Sequence, residues 1–138
     1  MTYEIGEMTR PRVYKNAWFQ RFARKERIAD AALCEAIARA DRGLIDADLG
    51  SGVVKQRIAR PGAGRSGGYR ALVFFRHSER AVFVFGFAKN DRDNIDADEL
   101  AALRESAKLV LALPQAAIDA EVASRRLMEV FCGDEEIS

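Results

Sequence analysis

From Gly52 to Ala88 the pattern of this chain changes to period two, in segments of strand type, and on both sides of that segment the apolar residues recur at helical spacing. One element type cannot bury both patterns. Side chains alternate faces along a strand, whereas a helix returns to one face every three or four residues. The segment therefore reads as strands held between helical ends. Val53 to Arg60, Gly68 to Arg76 and Arg80 to Ala88 are rich in β-branched and aromatic residues, and the short connection HSER makes the last two an antiparallel hairpin. Period two puts Lys55 and Arg57 on one face of the first strand and Val54 and Ile58 on the other. On the third strand it makes Phe83, Phe85, Phe87 and Lys89 one alternating set.

Upstream, Arg12 to Lys15 can start a short strand. The stretch AWFQRFARKERI places Trp18, Phe19 and Phe22 on one helical face, with Arg21, Arg24 and Lys25 largely off it. Asp30 reads as the N-cap of a second helix whose apolar face is Leu33, Ile37 and Ala40, and Gly43 as its C-terminal stop. Downstream, Asp96-Ala97-Asp98-Glu99 has the form of a capping box. Leu100, Leu103, Ala107 and Val110 continue that helix, and Pro114 limits it. Residues 115–125 are weakly helical, and Leu127 to Val130 can return as a short edge strand. The expected class is α+β: an N-terminal helical hairpin packed on a small twisted antiparallel sheet, followed by a C-terminal helix. The 138 residues fit one domain, with a core at about 12–131 and polar tails at 1–10 and 133–138.

Charge is distributed as unevenly as hydrophobicity. The net charge is +1, yet residues 51–90 carry eight basic side chains against the single acid Glu79, and residues 91–138 run to −7. One basic block on a nearly neutral chain offers a polyanion a local surface. Its strand positions hold the charges in place, and Tyr69 and the aromatic residues of the third strand could supply stacking surface for bases. No apolar run approaches the roughly 18 residues of a membrane span, and residues 1–11 lack the apolar stretch of a signal peptide, so the expected location is the cytoplasm. Cys34 and Cys132, 98 positions apart, form no metal or disulfide pattern, and Cys34 reads as buried filler on an alanine-rich helix.

Several motifs fail on inspection. Gly62, Gly64 and Gly67 spell G-x-G-x-x-G, but strand sequence follows where a dinucleotide site needs a helix. Those glycines suit a connection that leaves Arg65 free to swing toward a ligand. Asp91, Asp93, Asp96 and Asp98 resemble a calcium loop, but Asp96 stands where glycine is required. His77 sits in the hairpin turn, and Ser66 has no histidine near it. No metal or cofactor is expected.

The runs GVVKQRIARPGAGRSGGYRALVFFR, RAVFVFGFAKNDRDNI and DELAALRESAKLVL resemble the RelE/ParE superfamily of bacterial toxins, most of all the RelE- or HigB-type branch acting on messenger RNA. The N-terminal YKNAWFQRFARKERIADAALCEAIARADRGLIDADLG is similar to that branch too, so the likeness covers roughly residues 12–113. It implies a basic concave face, ribosome-dependent cleavage of messenger RNA, growth arrest and neutralisation by a small antitoxin carrying a DNA-binding segment, in a toxin–antitoxin hetero-oligomer. Lys55, Arg57 and Arg60 match the family's basic positions on the strand after the helices. Arg65 matches its loop cation, Arg70 the arginine of the next strand, and Lys89 the basic residue ending the strand after that. Relatives also place a tyrosine or histidine near the C-terminal part of the site, and this chain has neither after His77. Within that resemblance Lys55, Arg57, Arg70 and Lys89 are the expected catalytic set, and Arg60, Arg65, Tyr69, Arg76 and Arg92 the expected RNA contacts. Arg70 would be the permanent cation on the phosphate. Lys55 would be the base, its neutral form favoured by like-charge repulsion from Arg57 and Arg70, and Lys89 the leaving-group acid. The alternatives are a ParE-like inhibitor of DNA gyrase and a non-toxic basic interaction module.

Overall fold

A computed structural model describes residues 10–59, 68–88 and 95–133. The strands are β1 (Arg12–Asn16), β2 (Ala47–Gly50), β3 (Val53–Ile58), β4 (Tyr69–Arg76), β5 (Arg80–Ala88) and β6 (Leu127–Val130). The helices are α1 (Ala17–Glu26), α2 (Asp30–Asp41), α3 (Ala97–Ala112) and α4 (Gln115–Ala123). The class is α+β, as the change of period implies. One sheet runs in the order β2-β3-β4-β5-β1-β6. It is antiparallel except between β5 and β1, which are parallel. β6 forms one edge, paired with β1 and clamped there by a two-pronged ion pair from Arg12 to Glu129.

Each sheet face has its own helices. The hairpin α1–α2 lies on one face, where Phe19, Ala23, Leu33 and Ile37 pack with Val54, Ile58, Tyr69, Val73 and Phe83. On the other face Ala107 and Leu111 of α3 and Ile118 of α4 pack with Tyr14, Val53, Phe74 and Val82. Two tight approaches rely on glycine. A Cβ on Gly86 would lie 2.6 Å from the Phe22 ring, so the close approach of α1 to β5 at this point needs glycine. Gly52 has φ +87°, and a Cβ on it would lie 2.4 Å from Leu111.

The helix ends follow local chemistry. Asn16 caps α1, its Oδ1 accepting from the Phe19 N–H at 2.8 Å, while its Nδ2 donates to the Val84 carbonyl at 3.2 Å. Gly43 closes α2, where the Gly43 and Leu44 N–H groups donate to the Ala40 and Arg39 carbonyls, the geometry of a Schellman stop. The capping box at Asp96 and Glu99 is present, with both bonds made. Asp30 is not the cap of α2. Ala29 holds that position, and the Asp30 carboxylate, in the first turn, accepts from Lys15 Nζ at 2.9 Å.

Three further expectations change. β2 was not evident from the sequence. Its residues, ADLG, have little strand propensity of their own and owe their conformation to pairing with β3. The aromatic set on β5 is broken by a bulge. Leu72 pairs with Phe85 and Val73 with Phe83, leaving Val84 unmatched. Phe83 therefore packs under α1, while Val84 and Phe85 turn to the α3 side. Finally, Cys34 and Cys132 are joined in a disulfide. Their separation of 98 residues hides that α2 and the segment after β6 lie side by side. Among the described residues no helix is long and apolar enough to cross a membrane.

Candidate functional site

Strand pairing puts the central cations in register. Lys55 stands opposite Leu72, and Leu72 opposite Phe85, while Arg57 stands opposite Arg70, and Arg70 opposite Phe87. Direct antiparallel partners share a face, so Lys55, Arg57 and Arg70 gather on the side of the sheet that carries α3. All three are half-buried. Two like charges directly opposed across a ladder repel each other. Asp46, just before β2, offsets this, its Oδ2 lying 2.9 Å from Arg70 Nε.

Asp46 is itself held from the core. Its N–H donates to Gln56 Oε1 at 3.1 Å. Gln56 Nε2 donates to the carbonyls of Ala36 and Leu44, both at 2.9 Å, so the amide joins α2, the loop and β3. With 1% of Gln56 exposed, these groups have little access to water, and each bond is costly to lose. The ion pair uses only the Nε edge of Arg70. Its Nη1 is buried with no hydrogen-bond partner among the described residues. A guanidinium fixed at its Nε edge, beside an amine and a second guanidinium on the same face, is suited to phosphate oxygens.

Other basic or aromatic candidates lie elsewhere. Tyr69 points to the opposite face, 1% exposed, its ring edge-on to Phe22 and its hydroxyl donating to Glu26 Oε1 at 2.9 Å. The strand period that brings Arg70 to the cluster turns Tyr69 away, so it offers no face to a base. Arg76 is at the far end of β4, about 20 Å from Arg70 at strand rise, and pairs with Glu79 at 3.4 Å. Arg80 belongs to the core. Its Nη1 donates to the carbonyls of Val110 and Leu113 at 2.8 and 2.9 Å, closing the C-terminal end of α3. His77, in the same distant turn, contacts Asp41 with Nδ1 at 2.9 Å from Oδ1. Arg60, Arg65, Lys89 and Arg92 lie outside the described residues. Among those described, no group of three or more histidine, cysteine or carboxylate side chains could hold a metal.

Two parts of the site had no sequence signal. Asp46 lies in LIDADLG, where nothing marks one acid above another, and Gln56 occupies an inward strand position that usually carries an apolar residue. Only the tertiary pairing shows that the two act together.

The model of the RelE toxin of the RelE/RelB toxin–antitoxin system matches residues 11–130. The chain belongs to the RelE toxin family. No curated protein matches it significantly. The RelE match spans every strand and helix described above, β6 and α4 included. Family membership makes the chain a toxin of a toxin–antitoxin pair and implies an antitoxin partner. The cluster on this chain is three cations on one face, with one of them oriented by a carboxylate.

Proposed function

We propose that this RelE-family toxin is a ribosome-dependent endoribonuclease that cleaves messenger RNA by attack of a 2′-hydroxyl on the adjacent phosphorus. The observation that supports the reading most is the opposition of Arg57 and Arg70 beside Lys55 on one face of the sheet, with Arg70 oriented by Asp46. In the reaction the 2′-hydroxyl proton passes to Lys55 as the 2′-oxygen bonds to phosphorus. Arg57 and Arg70 stabilise the charge gathering on the phosphorane oxygens. The P–O5′ bond then breaks and the leaving oxygen takes a proton, for which Lys89 is the candidate donor. The products are a 2′,3′-cyclic phosphate and a 5′-hydroxyl. The RNA supplies its own nucleophile, so the path needs no metal.

Such a site positions a phosphate well and moves protons with modest groups. That balance fits dependence on a partner that bends the RNA for attack, as the ribosome does. The antitoxin is proposed as a small acidic protein with a DNA-binding segment, since covering this face without opposing charge would strand cations away from water. Inducing the toxin in bacteria and mapping transcript ends tests the reading. Cuts within translated codons, lost on Arg70→Ala, support it. DNA damage with intact transcripts would assign the chain to gyrase inhibition instead, and normal growth to a non-toxic module.

A further inference from the structure

On the same face as the cations lies an apolar groove that the cleavage chemistry leaves unused. It encloses about 450 Å³ between β4–β5 and the N-terminal half of α3. Leu72, Val84 and Phe85 form its floor, Ala102 and Leu103 its helical wall, Ile95 just before the helix and Trp18 its ends, and Glu99 sets one carboxylate at its edge. The bulge at Val84 makes this floor, because uninterrupted alternation from Phe83 would turn Phe85 toward the helical hairpin. Trp18 stacks on Phe85 with ring centroids 4.5 Å apart and on Phe22 at 5.4 Å. The groove therefore ends on aromatic rings anchored to α1.

We infer that this groove receives a nucleobase of the RNA whose phosphate the Lys55–Arg57–Arg70 cluster holds, an inference that rests on the nuclease reading above. Lys55, Leu72 and Phe85 form one cross-strand row. Neighbouring strands are about 4.8 Å apart, which puts the Phe85 backbone about 10 Å from that of Lys55, a span one nucleotide bridges from phosphate to base. A nucleotide joins an anion to a flat ring of low polarity, and this face offers cations and an apolar aromatic slot in that order. Stacking accepts any base, so the groove grips single-stranded RNA without fixing its sequence. Its volume is within the range of sites for small organic groups.

Trp18 is the chain's only tryptophan, so its emission reports on the groove. The probes are a trinucleotide with 2′-deoxyribose throughout, which lacks the attacking hydroxyl, and its abasic counterpart with the same phosphates. The base-bearing probe should quench Trp18 saturably by millimolar concentration, and the abasic one should not. Ala102 is exposed on the wall, and Ala102→Leu fills the groove without disturbing the core. That variant should lose the quench and bind the base-bearing probe about 5- to 100-fold more weakly. Equal responses to the two probes, no quench by either, or a quench unchanged in the variant would overturn the inference. Transcript mapping separates this failure from that of the nuclease reading. Lost or relocated cuts in Ala102→Leu support the groove. Cuts identical to the parent's overturn the groove alone, and they assign it to the antitoxin if antitoxin capture is lost. No cuts by the parent protein overturn the nuclease reading and the groove with it.

Discussion

Asp46 holds Arg70 by one edge of its guanidinium, Oδ2 to Nε at 2.9 Å, and leaves Nη1 buried and unused among the described residues. The carboxylate thus orients the cation without consuming it. Arg70→Ala is expected to lower cleavage by about 10²–10³, the cost of removing one preorganised contact to transition-state charge. The fold should survive, because Asp46 is partly exposed and water can take over its carboxylate. Asp46→Asn keeps the shape and removes the charge that fixes the guanidinium, so it should lower the rate by about tenfold, a loss of roughly 1.4 kcal/mol. Cleavage of translated messenger RNA by purified variants, with circular dichroism to confirm folding, measures both. A faster Asp46→Asn variant would show that the carboxylate competes with phosphate for Arg70.

Lys55 separates proton transfer from charge. If it takes the 2′-hydroxyl proton, Lys55→Arg should lose cleavage nearly as fully as Lys55→Ala, because a guanidinium stays protonated throughout the usable pH range. A lysine that only binds phosphate would be replaced by arginine with little loss. Rates of the two variants on the same ribosome-bound message decide it, and near-normal cleavage by the arginine variant reduces Lys55 to phosphate binding.

The strands that carry Lys55, Arg57 and Arg70 were legible because alternation is a local property, and a cation between two inward residues declares its face. The capping box at Asp96 and the stop at Gly43 were legible for the same reason. What escaped was set by pairing at a distance. Asp30 had the form of a cap, but Lys15, on a strand fifteen positions earlier, competes for its carboxylate. The bulge at Val84 leaves no mark in a run of alternating phenylalanines and valines, yet it moves Phe85 to the opposite side from Phe83. Tyr69 looked like a stacking residue because it adjoins Arg70, and adjacency on a strand is what sends the two to opposite faces. Asp46 and Gln56 meet only once β2 has paired with β3.

The Cys34–Cys132 bond closes a loop of nearly the whole domain, linking α2 to the segment after β6. A cross-link spanning about a hundred residues restricts the unfolded chain by about 4–5 kcal/mol in the chain-entropy view, and losing a native disulfide costs about 2–5 kcal/mol. Cytosolic thiol systems keep such pairs reduced, so the compartment decides whether the bond contributes. Chemical denaturation without reductant should show Cys34→Ser less stable than the parent by that amount. Adding reductant should bring the parent down to the variant's level. Equal stabilities without reductant would mean that the bond does not form or does not constrain the unfolded chain.

Tyr14 gives the fold a defined alkaline limit. Its ring is fully buried between the sheet and α4, and its hydroxyl accepts from Gln115 Nε2 at 2.9 Å. Burial holds its ionisation above the ordinary tyrosine value, outweighing the Gln115 bond, which favours the phenolate. The native state therefore keeps a proton that the unfolded chain releases at about pH 10. With fewer protons bound in the unfolded state, stability falls as pH rises. Tyr14's contribution is intact below about pH 10 and is lost above it, at no more than about 1.4 kcal/mol per pH unit for one proton. Tyr14→Phe should cost about 1 kcal/mol near neutrality, because Gln115 Nε2 retains Asp119 Oδ1 at 3.0 Å as an acceptor. Above pH 10 the parent should lose stability more steeply than the variant, and the gap between them should narrow. Denaturation midpoints of both proteins from pH 7 to 11 measure the slopes. Parallel slopes through that range would show that Tyr14 ionises as readily in the folded protein as in the unfolded one.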